Sequence, residues 1–255
     1  MGILNVTPDS FSDGGVYIDP DIAVMRLHEM VNEGADVIDI GAMSTKPGHA
    51  LVTPQEEIER IAPVLRSLEV DACSVPISVD TYNVETAQYV LENGASIIND
   101  VSGVLNEEMA KLIAKHNAGW IITHTGGGDA DNMMEYADVA ADVAAFFRRA
   151  LEFCEAYGIS RSQLCFDVGF GFGKNANDNF KLLAQLEKTR CDEVPLMAAL
   201  SRKRMIGEAT GCEVLQRLHG TVAANAIAVM NGADVIRVHD IEPNIHACKV
   251  ARKCL

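Results

Sequence analysis

Eight short apolar runs recur along the 255 residues, each stopping at a polar or charged side chain and most followed by a stretch long enough for a helix. The stopping residues are Asn5, Asp39, Asp80, Asn99, His124, Asp167, Ser201, and Arg237 with His239. Runs that are apolar throughout suit parallel strands covered on both faces. Strict alternation of strand and helix over eight units points to a (β/α)8 TIM barrel as a single domain over 1–255, with an open doubly wound sheet as the alternative. A barrel gathers its C-terminal strand ends around one mouth, so the eight stopping points sketch an active site.

Strands are predicted near 2–6, 36–41, 75–80, 95–100, 119–124, 163–168, 194–200 and 234–239. Helices are predicted near 20–33, 54–69, 83–93, 106–117, 135–157, 177–188, 214–231 and 242–253. One phrase recurs at the joints: Gly34-Ala35-Asp36, Gly94-Ala95-Ser96 and Gly232-Ala233-Asp234 each precede a strand. Glycine after an amphipathic stretch is a helix stop signal. Thr53-Pro54-Gln55-Glu56 reads as a helix start, with a capping residue, proline at the first helical position and a glutamate to complete the box.

The formal charge of -15 argues against nucleic acid or an anionic membrane as a partner, because both are polyanions. Any anionic ligand must therefore meet a local cluster of cations. Seven dispersed cysteines suit neither a disulfide framework nor a structural zinc site. No apolar stretch is long enough to span a bilayer and no basic leader opens the chain, so a reduced, cytoplasmic protein is expected.

Asp80, Asn99 and Asp167 together offer carboxylate and amide acceptors, plus amide donors, to a flat heterocycle bearing ring N–H and amino groups. Capping of the following helices is the other use for such residues. Ser201-Arg202-Lys203-Arg204 and Arg237-Val238-His239 follow the last two strands, a frequent anion site in this fold; Arg202 and Arg204 also fit a solvated basic turn. The segment Asp167-Val168-Gly169-Phe170-Gly171-Phe172-Gly173-Lys174 is only a weak phosphate-loop match; its glycines suit close approach to a flat ligand, with Phe170 or Phe172 as an aromatic wall. Gly126-Gly127-Gly128 reads as a flexible turn. Asn5-Val6-Thr7-Pro8-Asp9-Ser10-Phe11-Ser12-Asp13-Gly14-Gly15 is too polar for a core, and its oxygens suit a hydrated Mg2+. No nucleophile with a partnered base is evident, so the chemistry should depend on positioning and electrostatics.

At that last segment the chain closely resembles the dihydropteroate synthase family, and the likeness continues through Ser44-Thr45-Lys46-Pro47-Gly48, SVDT at 78–81, IND at 98–100, DVGFGFGK at 167–174, SRK at 201–203 and RVHD at 237–240. The resemblance implies a (β/α)8 barrel that joins 4-aminobenzoate to 7,8-dihydropterin-6-ylmethyl diphosphate with Mg2+ as cofactor, by a dissociative substitution that releases diphosphate. It implies that Asp80, Asn99, Asp167, Lys203 and Arg237 hold the pterin, and that Asn5, through Mg2+, Arg237 and His239 hold the diphosphate. It implies an aminobenzoate pocket of Phe11, Thr45, Lys46, Pro47, Phe172, Ser201 and Lys203, with Ser201 and the helix N-terminus behind it receiving the carboxylate. Asp80, Lys203, Arg237 and His239 would carry the catalysis, in a homodimer open to sulfonamide competition. Asp39 and His124 receive no role.

Several positions depart from the family pattern: Ala42-Met43, Lys46, Thr123 and Thr125 around His124, Val168 and Ala199. Two other readings share part of the set. A methyltetrahydrofolate–corrinoid methyltransferase would use Asp80, Asn99 and Asp167 but not the anion site. A catalytically impaired pterin-binding homologue would fit the changes at Met43, Lys46 and Thr125.

Overall fold

The computed structural model describes residues 1–6, 19–42, 52–70, 73–129 and 131–255. Eight parallel strands pair in chain order: β1 Gly2–Asn5, β2 Ile38–Gly41, β3 Ile77–Asp80, β4 Ile97–Asp100, β5 Gly119–Thr123, β6 Leu164–Asp167, β7 Leu196–Ala198 and β8 Val235–Ile236. The sheet curls until its ends meet. A parallel bridge joins Gly2 to Val238, Ile3 N donates to Val238 O at 2.9 Å and Val238 N donates to Met1 O at 3.0 Å. The barrel therefore closes, and the open-sheet alternative is set aside.

Around it lie α1 Pro20–Asn32, α2 Pro54–Val70, α3 Val84–Glu92, α4 Glu107–His116, α5 Val139–Ala156, α6 Ala176–Ala184, α7 Arg204–Thr210, α8 Leu218–Met230 and α9 Ile241–Arg252. The predicted punctuation is where these helices begin and end. Thr53 N donates to Glu56 Oε2 at 2.8 Å and Glu56 N to Thr53 Oγ1 at 3.3 Å, a completed capping box. Gly34, Gly94 and Gly232 sit at φ of 100°, 101° and 98°, a region open to glycine alone without strain.

The structure redraws several element boundaries in the second half of the chain. The expected strand 194–200 stops at Ala198 because the chain turns to carry Ser201 and Lys203 across the mouth. The expected strand 234–239 is interrupted at Arg237, then resumes its pairing at Val238 on β1. Helix 135–157 starts only at Val139, where Asp138 accepts from Ala140 N and Ala141 N. Helix 177–188 divides into α6 and a 3-10 turn at Leu186–Thr189, and 214–231 into a 3-10 turn at Val214–Gln216 and α8. The seven-residue α7 was not expected; so short an element leaves little periodic signal, and Gly211 ends it in the left-handed region.

Strand period places the site. Met1, Ile121 and Met197 form an apolar plug, packed by Val37, Ile97, Cys165 and Val235. Two residues further along the same strands stand Asp39, Asn99, Asp167 and Arg237. Side chains two apart share a face, so the plug is the floor and the polar residues are the layer above it.

Candidate active site

Asp39 is the centre of that layer. It is fully buried on β2, and both its oxygens are occupied: Ser78 Oγ donates to Oδ1 at 2.6 Å, while Asn99 Nδ2 at 3.0 Å and Arg237 Nε at 2.7 Å donate to Oδ2. Arg237 Nη2 lies 2.6 Å from Asp39 Oδ2 and 3.0 Å from Asp80 Oδ2, so one guanidinium bridges two carboxylates across the mouth. This fork leaves Arg237 Nη1 without a partner among the described residues. The register supports the set, with Asp39 opposite Ser78 and Asp80 opposite Asn99 on neighbouring strands.

Because the Asn99 amide nitrogen is committed to Asp39, its Oδ1 is turned the other way, buried and unpartnered among the described residues. An orphaned buried acceptor is costly unless a ligand donor meets it. Asp39 thus decides which end of Asn99 is offered, a role the sequence reading left blank. The signal was present in Val37-Ile38-Asp39, which shares its plug-then-polar spacing with Ile97-Ile98-Asn99.

The capping alternative fails for the other acceptors. Asn83, Asn106 and Asn175 occupy the cap positions of α3, α4 and α6, leaving Asp80, Asn99 and Asp167 for the mouth. Burial pushes the Asp80 carboxyl up to about 7 against the pull of Arg237, and it also raises Asp167, which accepts from Gly169 N at 2.9 Å. Lys203 stands between the two sides. Burial lowers its ammonium to about 8 against the attraction of Asp167, and Nζ lies 4.7 Å from the centre of the Phe172 ring.

Ser201 Oγ lies 2.9 Å from His239 Nδ1, and His239 N donates to the same oxygen at 3.3 Å. Burial, reinforced by Arg202, Arg237 and Lys203, lowers the imidazole to about 3. A neutral ring that accepts at Nδ1 carries its proton on Nε2, a donor for an anion. Ser201 thus orients His239 in this structure. The helix behind it has only seven residues, a short dipole for the expected anion site.

The remaining expectations divide. Phe170 is fully buried in the core, which leaves Phe172 as the aromatic wall. Gly169 and Gly173 face the backbone carbonyls of His124 and Thr125, so their missing side chains admit a neighbouring loop and not a ligand. Arg202 is no solvated turn: its Nη2 is held by both Asp240 oxygens at 2.9 and 3.1 Å, whereas Arg204 is exposed and paired with Glu208. His124 is structural, with Nε2 2.9 Å from Asp142 and its ring edge-on to Phe146. Thr125 receives Gly127 N at 3.2 Å, so it shapes the glycine turn beside it; Val168 N donates to Met197 O at 3.4 Å, a bond that a proline would forgo. Phe11, Thr45, Lys46 and Pro47, together with Met43, lie outside the described residues.

A family model described as pterin binding enzyme matches residues 1–239. The dihydropteroate synthase of Escherichia coli is 40% identical over 100% of this chain and 91% of its own. Among solved structures, a Yersinia pestis dihydropteroate synthase in a sulfonamide drug complex superposes with a TM-score of 0.93 at 38% identity, covering 100% of this chain and 93% of that one. A Xanthomonas albilineans dihydropteroate synthase in complex with 7,8-dihydropteroate gives 0.85 at 35% identity, over 100% and 91%.

Proposed function

The chain belongs to the pterin-binding enzyme family, and from that membership and the polar layer of its barrel we infer that it condenses 7,8-dihydropterin-6-ylmethyl diphosphate with 4-aminobenzoate to give 7,8-dihydropteroate and diphosphate, a step of folate biosynthesis. The observation that carries this reading is the Asp39–Arg237–Asp80–Asn99 network, with an acceptor unpartnered among the described residues beside a bridged guanidinium.

Asp80, Asp167 and Asn99 Oδ1 accept from the amino and ring N–H groups of the pterin, and Lys203 donates to its ring oxygen. Arg237 Nη1 and His239 Nε2–H face the diphosphate. The bond from the methylene carbon to the bridging oxygen breaks first, with its electron pair leaving on diphosphate. Positive charge spreading into the pterin is met by Asp80 and Asp167, preorganised where it develops. The amine nitrogen of 4-aminobenzoate then bonds to the methylene carbon and loses a proton. Phe172 and Lys203 form the described part of the aminobenzoate pocket. Phe11, Thr45, Lys46 and Pro47 complete it in this proposal, with Ser201 behind the carboxylate. Sulfonamides would compete there.

Mg2+ suits Asn5, whose amide oxygen is a hard donor at the end of β1; Gly41 lies so near that a Cβ there would come 3.0 Å from Asn5 Oδ1. Mg2+ needs only one or two protein oxygens, and when bound it would neutralise charge on the leaving diphosphate. A homodimer through the last helices is supported by α8, whose outer face leaves Ile227 and Met230 exposed. A reducing, cytoplasmic setting accords with seven free cysteines, and no described helix is long and apolar enough to cross a membrane.

The test is to mix the protein with dihydropterin diphosphate, Mg2+ and 4-aminobenzoate and look for dihydropteroate by mass. Product is expected. Pterin binding without product would favour the impaired homologue, and absence of pterin binding would overturn the synthase reading.

A further inference from the structure

Lys174 ends the Gly-rich segment after β6 and takes no part in the chemistry above. Its side chain turns inward and is 1% exposed. Nζ donates to His124 O at 3.0 Å, to Gly169 O at 3.0 Å and to Phe172 O at 3.1 Å. An ammonium has three N–H donors, and here each one meets a carbonyl. One carbonyl belongs to the end of β5 and the other two to the loop that carries Phe172.

That loop could not hold its own shape. Gly169, Gly171 and Gly173 sit at φ of 66°, 81° and 60°, and glycine samples many conformations when nothing restrains it. From the far side, Asn179 of α6 accepts from Gly171 N at 2.9 Å and donates to Lys174 O at 2.9 Å. The backbone is therefore gripped from β5 and from α6. What it presents toward the mouth is the Phe172 ring, under the Lys203 ammonium at 4.7 Å.

We propose that Lys174 is a positioning residue of the 4-aminobenzoate subsite: by tying Gly169 O and Phe172 O to His124 O, it sets the Phe172 ring against Lys203 and so fixes the wall on which the aromatic amine lies. This rests on the reading of Phe172 and Lys203 as part of that subsite. A lysine that merely supported the fold would weaken both substrates alike. A clamp acting through Phe172 weakens one.

Lys174→Met keeps the apolar stem and removes the three donors. KM for 4-aminobenzoate should rise about tenfold, as a displaced contact surface would require. The calorimetric Kd for dihydropterin diphosphate should stay within about twofold. In a Phe172→Ala background, Lys174→Met should add little to the KM, because the ring it positions is gone. A parallel loss of pterin affinity overturns the proposal, and so does an additive cycle in which Phe172→Ala itself moves the KM. If Phe172→Ala leaves the KM unmoved, the subsite reading falls and the clamp falls with it. Should Lys174→Met fail to fold, Asn179→Leu releases the same loop from α6. It should raise the same KM selectively, and a non-selective loss counts against the clamp.

Discussion

The two sides of the mouth are held by different means. On the side of β2, β3, β4 and β8, side chains hold side chains: Asp39, Ser78, Asn99, Asp80 and Arg237 form one charged network. In the loops beyond β5 and β6, past Asp167, whose carboxyl belongs with the charged wall, backbone holds backbone: glycines let two loops touch, and Lys174 ties three carbonyls together. The first arrangement presents fixed charge to a polar heterocycle. The second presents a flat apolar ring, and its polar groups are consumed internally. The difference assigns charge stabilisation to one wall and shape to the other.

The sharpest way to break the comparison is Asp39→Ala. It leaves Arg237 held by Asp80 alone and frees the Asn99 amide to turn. We expect a stability loss of about 3 kcal/mol, since removing one partner of a buried ion pair leaves the other charge underpaired. A fall of about a hundredfold in kcat/KM for the pterin substrate should accompany it. Denaturation curves and steady-state kinetics check both, and near-normal pterin kinetics would mean that Asp39 does not orient Asn99.

On the other wall, Gly169→Ala would push a Cβ into His124 O at a φ of 66°. A cost of about 2 kcal/mol is expected from a side chain forced into such a position. The kinetic damage should fall on the KM for 4-aminobenzoate more than on pterin affinity. Equal damage to both would erase the division between charge and shape.

The smallest effect is the pH dependence, and its sign follows from the two raised and lowered groups. The Asp80 carboxylate that accepts pterin N–H is present above about 7, and the Lys203 ammonium is present below about 8. The dependence of kcat/KM on pH should therefore be a narrow bell between those limits. His239, held near 3, stays neutral and adds no limb. Lys203→Arg should carry the alkaline limb upward out of range. A flat profile from pH 6 to 9 would show that neither charge is needed in its stated form.

The charged wall was the more legible of the two. Asp80, Asn99, Asp167 and Arg237 end apolar runs, and in a barrel a strand's C-terminal end already means the mouth. Asp39 ends a run in the same way but was passed over, because its partners are side chains and the sequence does not display them. The Gly-rich wall was legible only as glycines. They were expected to admit a ligand, but they admit the neighbouring loop. Lys174 received no role of its own, because nothing local distinguishes a lysine that turns inward from one that turns out.

The sequence by itself determined eight strand-and-helix units, their order, and the polar residues that end the strands at one mouth. Those features follow from local periodicity and from the need of parallel strands to be covered on both faces. Only the tertiary structure decided that Arg237 bridges Asp39 and Asp80, that Ser201 serves His239, and that the Lys174 ammonium is spent on carbonyls. Asp39 and Arg237 stand 198 residues apart and meet because β8 closes onto β1. Ring closure makes distant strand ends neighbours, and no periodicity in the chain records which side chain then faces which.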